Sequence, residues 1–282
     1  MSRDTALFCI ALTTPDALLR EAAGIALARD LHLTILVHAA FPSLPVAAYA
    51  ALPYGTISIP EEWPEEIGAR RKALEARIAE IDAIMDQEGA SADIRPLFVS
   101  QPDLRESIAQ AARTADAAFF APELREQDGA FAQMLQAVLF DAPIPAVINT
   151  LPGLAPERVL LAWDESLACA RAAHLALPCL KAAREVGIVC FDQPAQDVAG
   201  GRIEPGAGAA AWLSHHGCSV TLTQLPAGKR EIGGAILDHA RETGAGLIVA
   251  GGYGHARLRQ AVFGGTSRTL IEQTELPVLL AH

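Results

Sequence analysis

Short apolar runs alternate along this chain with segments whose apolar positions return every three or four residues, the pattern of buried strands joined by amphipathic helices. The first run, Ala6 to Leu12, ends at Thr13-Thr14-Pro15-Asp16 and leads into a helix carrying Leu18, Leu19, Ala22, Ile25 and Ala26. Leu33 to Val37 predicts a second strand. After a loop rich in Pro and Ala, Phe41 to Pro64, a long helix presents Ile67, Leu74, Ile78, Ile81 and Met85 on one face, and Gly89 stops it. Strands are expected at Asp93 to Val99, Ala117 to Ala121 and Ile144 to Ile148, with helices at Asp103 to Arg113 and Phe131 to Phe140 between them. Strands alternating with helices predict a parallel, doubly wound sheet.

Leu151-Pro152-Gly153-Leu154-Ala155-Pro156 reads as a linker, because two prolines and a glycine extend neither neighbouring strand. The order then begins again. Arg158 to Ala162, a helix from Ser166 to Ala183, Val186 to Phe191, Ser219 to Leu225, a helix from Ile232 to Arg241, and Leu247 to Ala250 repeat the elements of the first half. Leu139 to Ile148 aligns without a gap on Ile271 to Leu280, including the proline that opens the last strand. The chain is therefore read as a tandem duplication with halves 1–150 and 157–282.

The halves differ after their fourth strands. The second half has Gly251-Gly252-Tyr253-Gly254, nine residues, then Gly264-Gly265-Thr266-Ser267, where the first has Ala121-Pro122-Glu123-Leu124 and Gln133-Met134-Leu135-Gln136. Glycine N–H groups can approach a phosphate closely, and a helix N-terminus favours its charge. Such glycines also serve simply as turn residues. In the first half Pro122 removes a donor and Glu123 adds negative charge, so that half is expected to lack a nucleotide site.

Composition narrows the classes. Hydrophobic residues make up 51% of the 282 and charged residues 20%, enough apolar material for well-covered cores. A net charge of -11 repels nucleic acid. The opening apolar run is too short to span a membrane and has no cleavage site after it, so a cytoplasmic location without membrane contact is expected. Cys9, Cys169, Cys179, Cys190 and Cys218 have no metal-ligand spacing and read as buried reduced thiols. His215-His216, near the end of a helix expected to begin around Ala209, reads as a partner of the helix dipole. Gly206-x-Gly208-x-x-Ala211 resembles a dinucleotide fingerprint by letters, but no strand precedes it. No P-loop is present in the sequence.

The signature Gly251-x-x-Gly254-nine residues-Gly264, the ending Leu276-Pro277-Val278-Leu279-Leu280 and Asp164 after the first strand of the second half resemble the universal stress protein family, over the whole chain taken as two domains in tandem. The resemblance implies two Rossmann-like domains of the adenine nucleotide alpha hydrolase-like type. Each would be a five-stranded parallel sheet of order 3-2-1-4-5 with helices on both faces. It also implies ATP or another adenine nucleotide, with or without magnesium, in the second half. The implied site comprises Ala162, Asp164, Gly251, Gly254, His255, Arg257, Gly264, Gly265, Thr266 and Ser267. Asp164 would lie near adenine or ribose and the glycine turns near phosphate. The family places a Ser or Thr where this chain has Gly265, with Thr266 and Ser267 following. Asp164 also suits the N-cap of the helix beginning at Ser166. His255 equally suits a surface position, and Arg257 and Arg259 suit solvated ones.

Three function classes follow. The first is a stress-response or regulatory protein with one adenine-nucleotide site in the second half. The second is an interaction or scaffold protein with both halves degenerate. The third, an enzyme, is not expected, because no oriented nucleophile–base pair can be named, although slow ATP hydrolysis is left open. An internal pseudo-dimer through the strands at 144–148 and 278–281 is expected, and pairing between chains is left open.

Overall fold

Residues Ala6 to Ala11 are all buried, as a strand covered on both faces requires. The computed structural model describes residues 3–43, 60, 62–127, 129–198, 201–228, 230–252 and 265–282. These residues have an α/β fold with a mostly parallel sheet. They divide into two compact units, residues 1–142 with 151–153, and residues 143–150 with 154–282.

The first unit holds β1 (Thr5–Ala11), α1 (Asp16–Arg29), β2 (His32–His38), α2 (Glu62–Glu88), β3 (Ser91–Leu97), α3 (Gln101–Ala112), β4 (Ala117–Phe120), a 3-10 turn (Pro122–Glu126) and α4 (Ala130–Asp141). Its parallel order is β3-β2-β1-β4, with Thr5 opposite His32 and Ala6 opposite Ala117. α1 packs on α2, and α3 on α4. Helix α3 begins at Gln101 behind Ser100, two residues before the expected start, because Pro102 suits the first turn, where its missing N–H costs no helical bond.

The second unit holds β5 (Ala146–Ile148), β6 (Arg158–Ala162), α5 (Leu167–Leu175), α6 (Leu177–Ala182), β7 (Glu185–Phe191), β8 (Gln196–Val198), β9 (Gly201–Ile203), α7 (Ala207–His215), β10 (Val220–Leu225), α8 (Ile232–Thr243), β11 (Leu247–Gly251), α9 (Gly265–Glu272) and β12 (Val278–Ala281). The parallel strands run β10-β7-β6-β11-β12, and β5 adds antiparallel to β12, with Val278 opposite Ile148.

β5 is only three residues long, and contacts place it with the second unit, where its ladder to β12 lies. Asn149, at φ 62, holds the turn after it by donating through Nδ2 to the carbonyls of Gln273 and Leu276, both at 3.0 Å. The single helix expected from Ser166 to Ala183 is two helices that break at Ala176. Pro178 cannot donate in a continuous helix, so it sits in the first turn of α6. The stretch Gln193 to Gly208, between β7 and β10, contains the β8–β9 hairpin and the start of α7. Among the described residues no helix is long and apolar enough to cross a membrane.

Candidate site at the strand ends of the second unit

β6 lies between β7 and β11, so the chain leaves it toward one side and returns on the other. This is the place where open α/β sheets leave a crevice at the carboxyl ends of their strands. Ala162 is opposite Ala250 of β11 and Val189 of β7, and the Trp163 main-chain N–H extends the ladder by donating to Val189 O at 2.9 Å. Beyond it the strand ends, and the side chains of residues 164–166 take over the backbone hydrogen bonding.

Asp164 Oδ1 accepts from the Ser166 main-chain N–H at 3.0 Å, a local turn that leaves the carboxylate half-buried at the strand end. Asp164 is therefore not the helix cap. Ser166 caps α5 itself, its Oγ accepting from the Cys169 N–H at 3.1 Å. Between them Glu165 adopts φ 60, uncommon for a residue with a side chain. Its Oε1 accepts from the Gly206 N–H at 2.9 Å, which ties the start of α7 to the loop after β6 and sets a carboxylate at a helix N-terminus.

Under this loop sits Cys169. Its Sγ donates to the Ala162 carbonyl at 3.1 Å, so Ala162 belongs to the floor of the site. The thiol lies against the backbone of both Asp164 and Gly251, and burial pushes its pKa up to about 12. Cys190 is raised to about 11, chiefly by burial and then by the charges of Glu165 and Asp164. Both are protonated structural thiols, and all five cysteines are free.

Gly251 has a steric reason to be glycine. A Cβ there would stand 2.5 Å from the Cys169 nitrogen and 2.9 Å from the Ala168 carbonyl carbon, both backbone atoms of α5. Gly252 continues the ladder, donating to Ala281 O at 2.8 Å, and its carbonyl is 3.0 Å from His282 Nδ1. Gly265 opens α9 in a different setting, exposed, with nothing within 4 Å of an added Cβ. Of the two hydroxyls after it, Ser267 is buried at 5% exposure while Thr266 is partly exposed. The structure thus gathers Ala162, Asp164 and Gly251 around Cys169 and sets Gly265, Thr266 and Ser267 in the first turn of α9. Gly254, His255, Arg257 and Gly264 lie outside the described residues.

Sequence reasoning did not single out Trp163, Glu165, Cys169 or Gly206 as parts of this site. Only the count of residues from the strand end to the helix cap could have signalled Glu165. His215 and His216 do stand at the end of α7, where His174 and His216 both pack on the Trp212 ring. Among the described residues no group of three or more His, Cys, Asp or Glu is arranged to hold a metal ion.

Residues 227–282, which span α8, β11, α9 and β12, match the universal stress protein family. The match is confined to this C-terminal region. The chain as a whole shares its fold with a universal stress protein from Archaeoglobus fulgidus DSM 4304, at TM-score 0.64 and 18% identity, covering 98% of this chain and 95% of that one. A functionally unknown protein from Pseudomonas aeruginosa PAO1 is similar at TM-score 0.57 and 15% identity, covering 99% and 92%. No curated protein matches in sequence.

Proposed function

We propose that the second unit binds one adenine nucleotide at the carboxyl ends of β6 and β11 and acts in stress response through that binding, without catalytic chemistry. The observation that carries this reading is Asp164, a half-buried carboxylate held by its own turn at the point where the strand order reverses, next to the Gly251 backbone. A carboxylate there accepts hydrogen bonds from a ribose hydroxyl or an adenine amino group. The described residues suit a nucleoside better than a phosphate, since Asp164 and Glu165 are both acidic. The phosphate-side role belongs in this reading to the glycine turns and Thr266, with Gly254, His255, Arg257 and Gly264 contributing from outside the described residues. Magnesium, if it accompanies the nucleotide, would offset charge between the phosphates and these carboxylates.

The test is to purify the chain without added nucleotide, denature it and identify released small molecules by mass spectrometry, then titrate the parent with ATP, ADP and AMP in a calorimeter with magnesium present. About one adenine nucleotide per chain is the expected stoichiometry. Two per chain would contradict the assignment of an empty first half. No release and no binding at millimolar nucleotide would overturn the reading. That result would favour a scaffold role, which the steric need for Gly251 also suits, because that glycine has a packing reason independent of any ligand.

A further inference from the structure

Two buried side-chain polar atoms have no hydrogen-bond partner among the described residues, Nε of Arg77 and Nε1 of Trp163. They are not equivalent. Arg77 uses its other nitrogens on Asp16, Glu80 and the Thr14 carbonyl, so its guanidinium is well satisfied. An indole has one donor and no acceptor, so the polar capacity of Trp163 is spent on nothing. Trp63, by contrast, donates its indole N–H to the Pro42 carbonyl at 3.3 Å. Leaving a buried donor unmade costs stability, and buried tryptophans ordinarily find a partner.

The position of this donor gives the cost a direction. Trp163 stands between Ala162 and Asp164, and every neighbour in the loop has its bond. Its own main-chain N–H goes to Val189, Asp164 takes the Ser166 N–H, Glu165 takes the Gly206 N–H, and Ser166 takes the Cys169 N–H. Four residues before the helix start in the first unit, the corresponding residue is Leu12, whose side chain carries no donor. Trp163 as a residue is partly exposed although its Nε1 is covered, so a ligand reaches the N–H only when the side chain moves.

We propose that the Trp163 indole N–H is a ligand-binding donor in the second unit, directed at a neutral acceptor of the nucleoside, a purine ring nitrogen or a ribose oxygen. This rests on the nucleotide reading above and adds to it a residue and a specificity. A phosphate oxygen is the wrong acceptor here, because the adjoining Asp164 and Glu165 carboxylates repel it. The Asp164 carboxylate and the Trp163 N–H together form an acceptor–donor pair on consecutive residues, complementary to a heterocycle or sugar that offers both a donor and an acceptor.

The test titrates the full chain with adenosine and with ATP, comparing the parent with Trp163→Phe, which keeps an aromatic ring and removes the N–H. Trp163→Phe is expected to bind both ligands about tenfold more weakly, by the same factor, while its ligand-free melting temperature stays level or rises because an unmatched donor is gone. Unchanged affinity, or a loss confined to ATP, overturns this assignment and leaves the nucleotide reading standing. A parent that binds neither ligand overturns both. Should Trp163→Phe fail to fold, the parent labelled with nitrogen-15 at its three indoles decides the matter, the Trp163 signal being identified with Trp63→Phe and Trp212→Phe variants. At saturating adenosine the Trp163 N–H signal should move and its exchange with solvent should slow. A signal that does neither overturns the proposal.

Discussion

The strand ends of the two units start from the same plan and finish differently. In the first unit the ends of β1, β2 and β4 are closed by the chain's own side chains. The Thr14 hydroxyl accepts from the Ala11 N–H and donates to Glu123 Oε2, both at 3.1 Å. Pro122 starts a 3-10 turn that buries Leu124 completely, and buried His38 at the end of β2 bonds Gln127. In the second unit the corresponding loop holds a half-buried Asp164, an exposed Glu165 and an indole without an acceptor, while β11 runs out into glycines. Both loops bond polar groups within the chain, but the second leaves its acidic groups nearer the surface and one indole N–H unmatched among the described residues. A sheet determines where a site can lie, and the few residues after each strand determine whether there is one.

The comparison can be broken most forcefully at the plug. Leu124→Ala is expected to destabilise the first unit by about 2–5 kcal/mol, read by urea unfolding, because a fully buried leucine leaves a cavity. A variant as stable as the parent would mean that the 3-10 turn does not close those strand ends. Next comes the exchange of the paired residues after the fourth strands. Gly251→Ala is expected to cost about 1–3 kcal/mol, since the backbone of α5 cannot yield to a Cβ, whereas Ala121→Gly should cost about 1 kcal/mol or less. Equal costs would remove the steric distinction between the halves.

Binding gives a third test. Asp164→Ala is expected to weaken adenine nucleotide by roughly ten- to a hundredfold in calorimetry, as loss of a charged hydrogen-bond acceptor does, while Thr13→Ala, three residues before α1, should leave binding unchanged. An Asp164→Ala variant that binds like the parent would move the site elsewhere. A finer contrast lies at Glu165. Removing its bond to Gly206 in Glu165→Ala should cost about 1–2 kcal/mol, and Glu165→Gly about 1 kcal/mol less than that, because glycine accepts φ 60 without strain.

The smallest effect belongs to His38. Burial holds its pKa below the ordinary 6.5, against the opposing bond to Gln127. The unfolded chain then binds this proton more readily than the folded one. The stability is fully present above pH 6.5 and declines as pH falls from there toward the lowered folded pKa. His38→Asn should flatten the dependence of melting temperature on pH in that window relative to the parent. Parallel curves would assign the pH dependence to other groups.

Much of this was legible in sequence because each element signals itself locally. The run Ala6 to Leu12 and its repeat at Arg158 to Ala162 have the apolar continuity of buried strands, and the glycines after Ala250 distinguish the halves. Helix breaks were less legible. Pro178 falls inside an otherwise continuous alanine-rich pattern, and only its place in the first turn of α6 explains the division of the expected helix. The glycine signature was legible as a motif but not as a cause. Gly251 and Gly265 look alike in sequence, yet one is pressed against a helix and the other is open.

By itself the sequence determined the α/β class, the repeat and the residue types available after each strand, because hydrophobic period and turn chemistry act over a few neighbours. Tertiary structure alone decided the antiparallel register of β5 on β12, that Glu165 reaches Gly206 across 41 residues of chain, and that the Trp163 N–H is covered without an acceptor among the described residues. Those facts depend on which distant backbone atoms come within hydrogen-bond or van der Waals range. No local pattern encodes them, because the partners meet only when the sheet has formed.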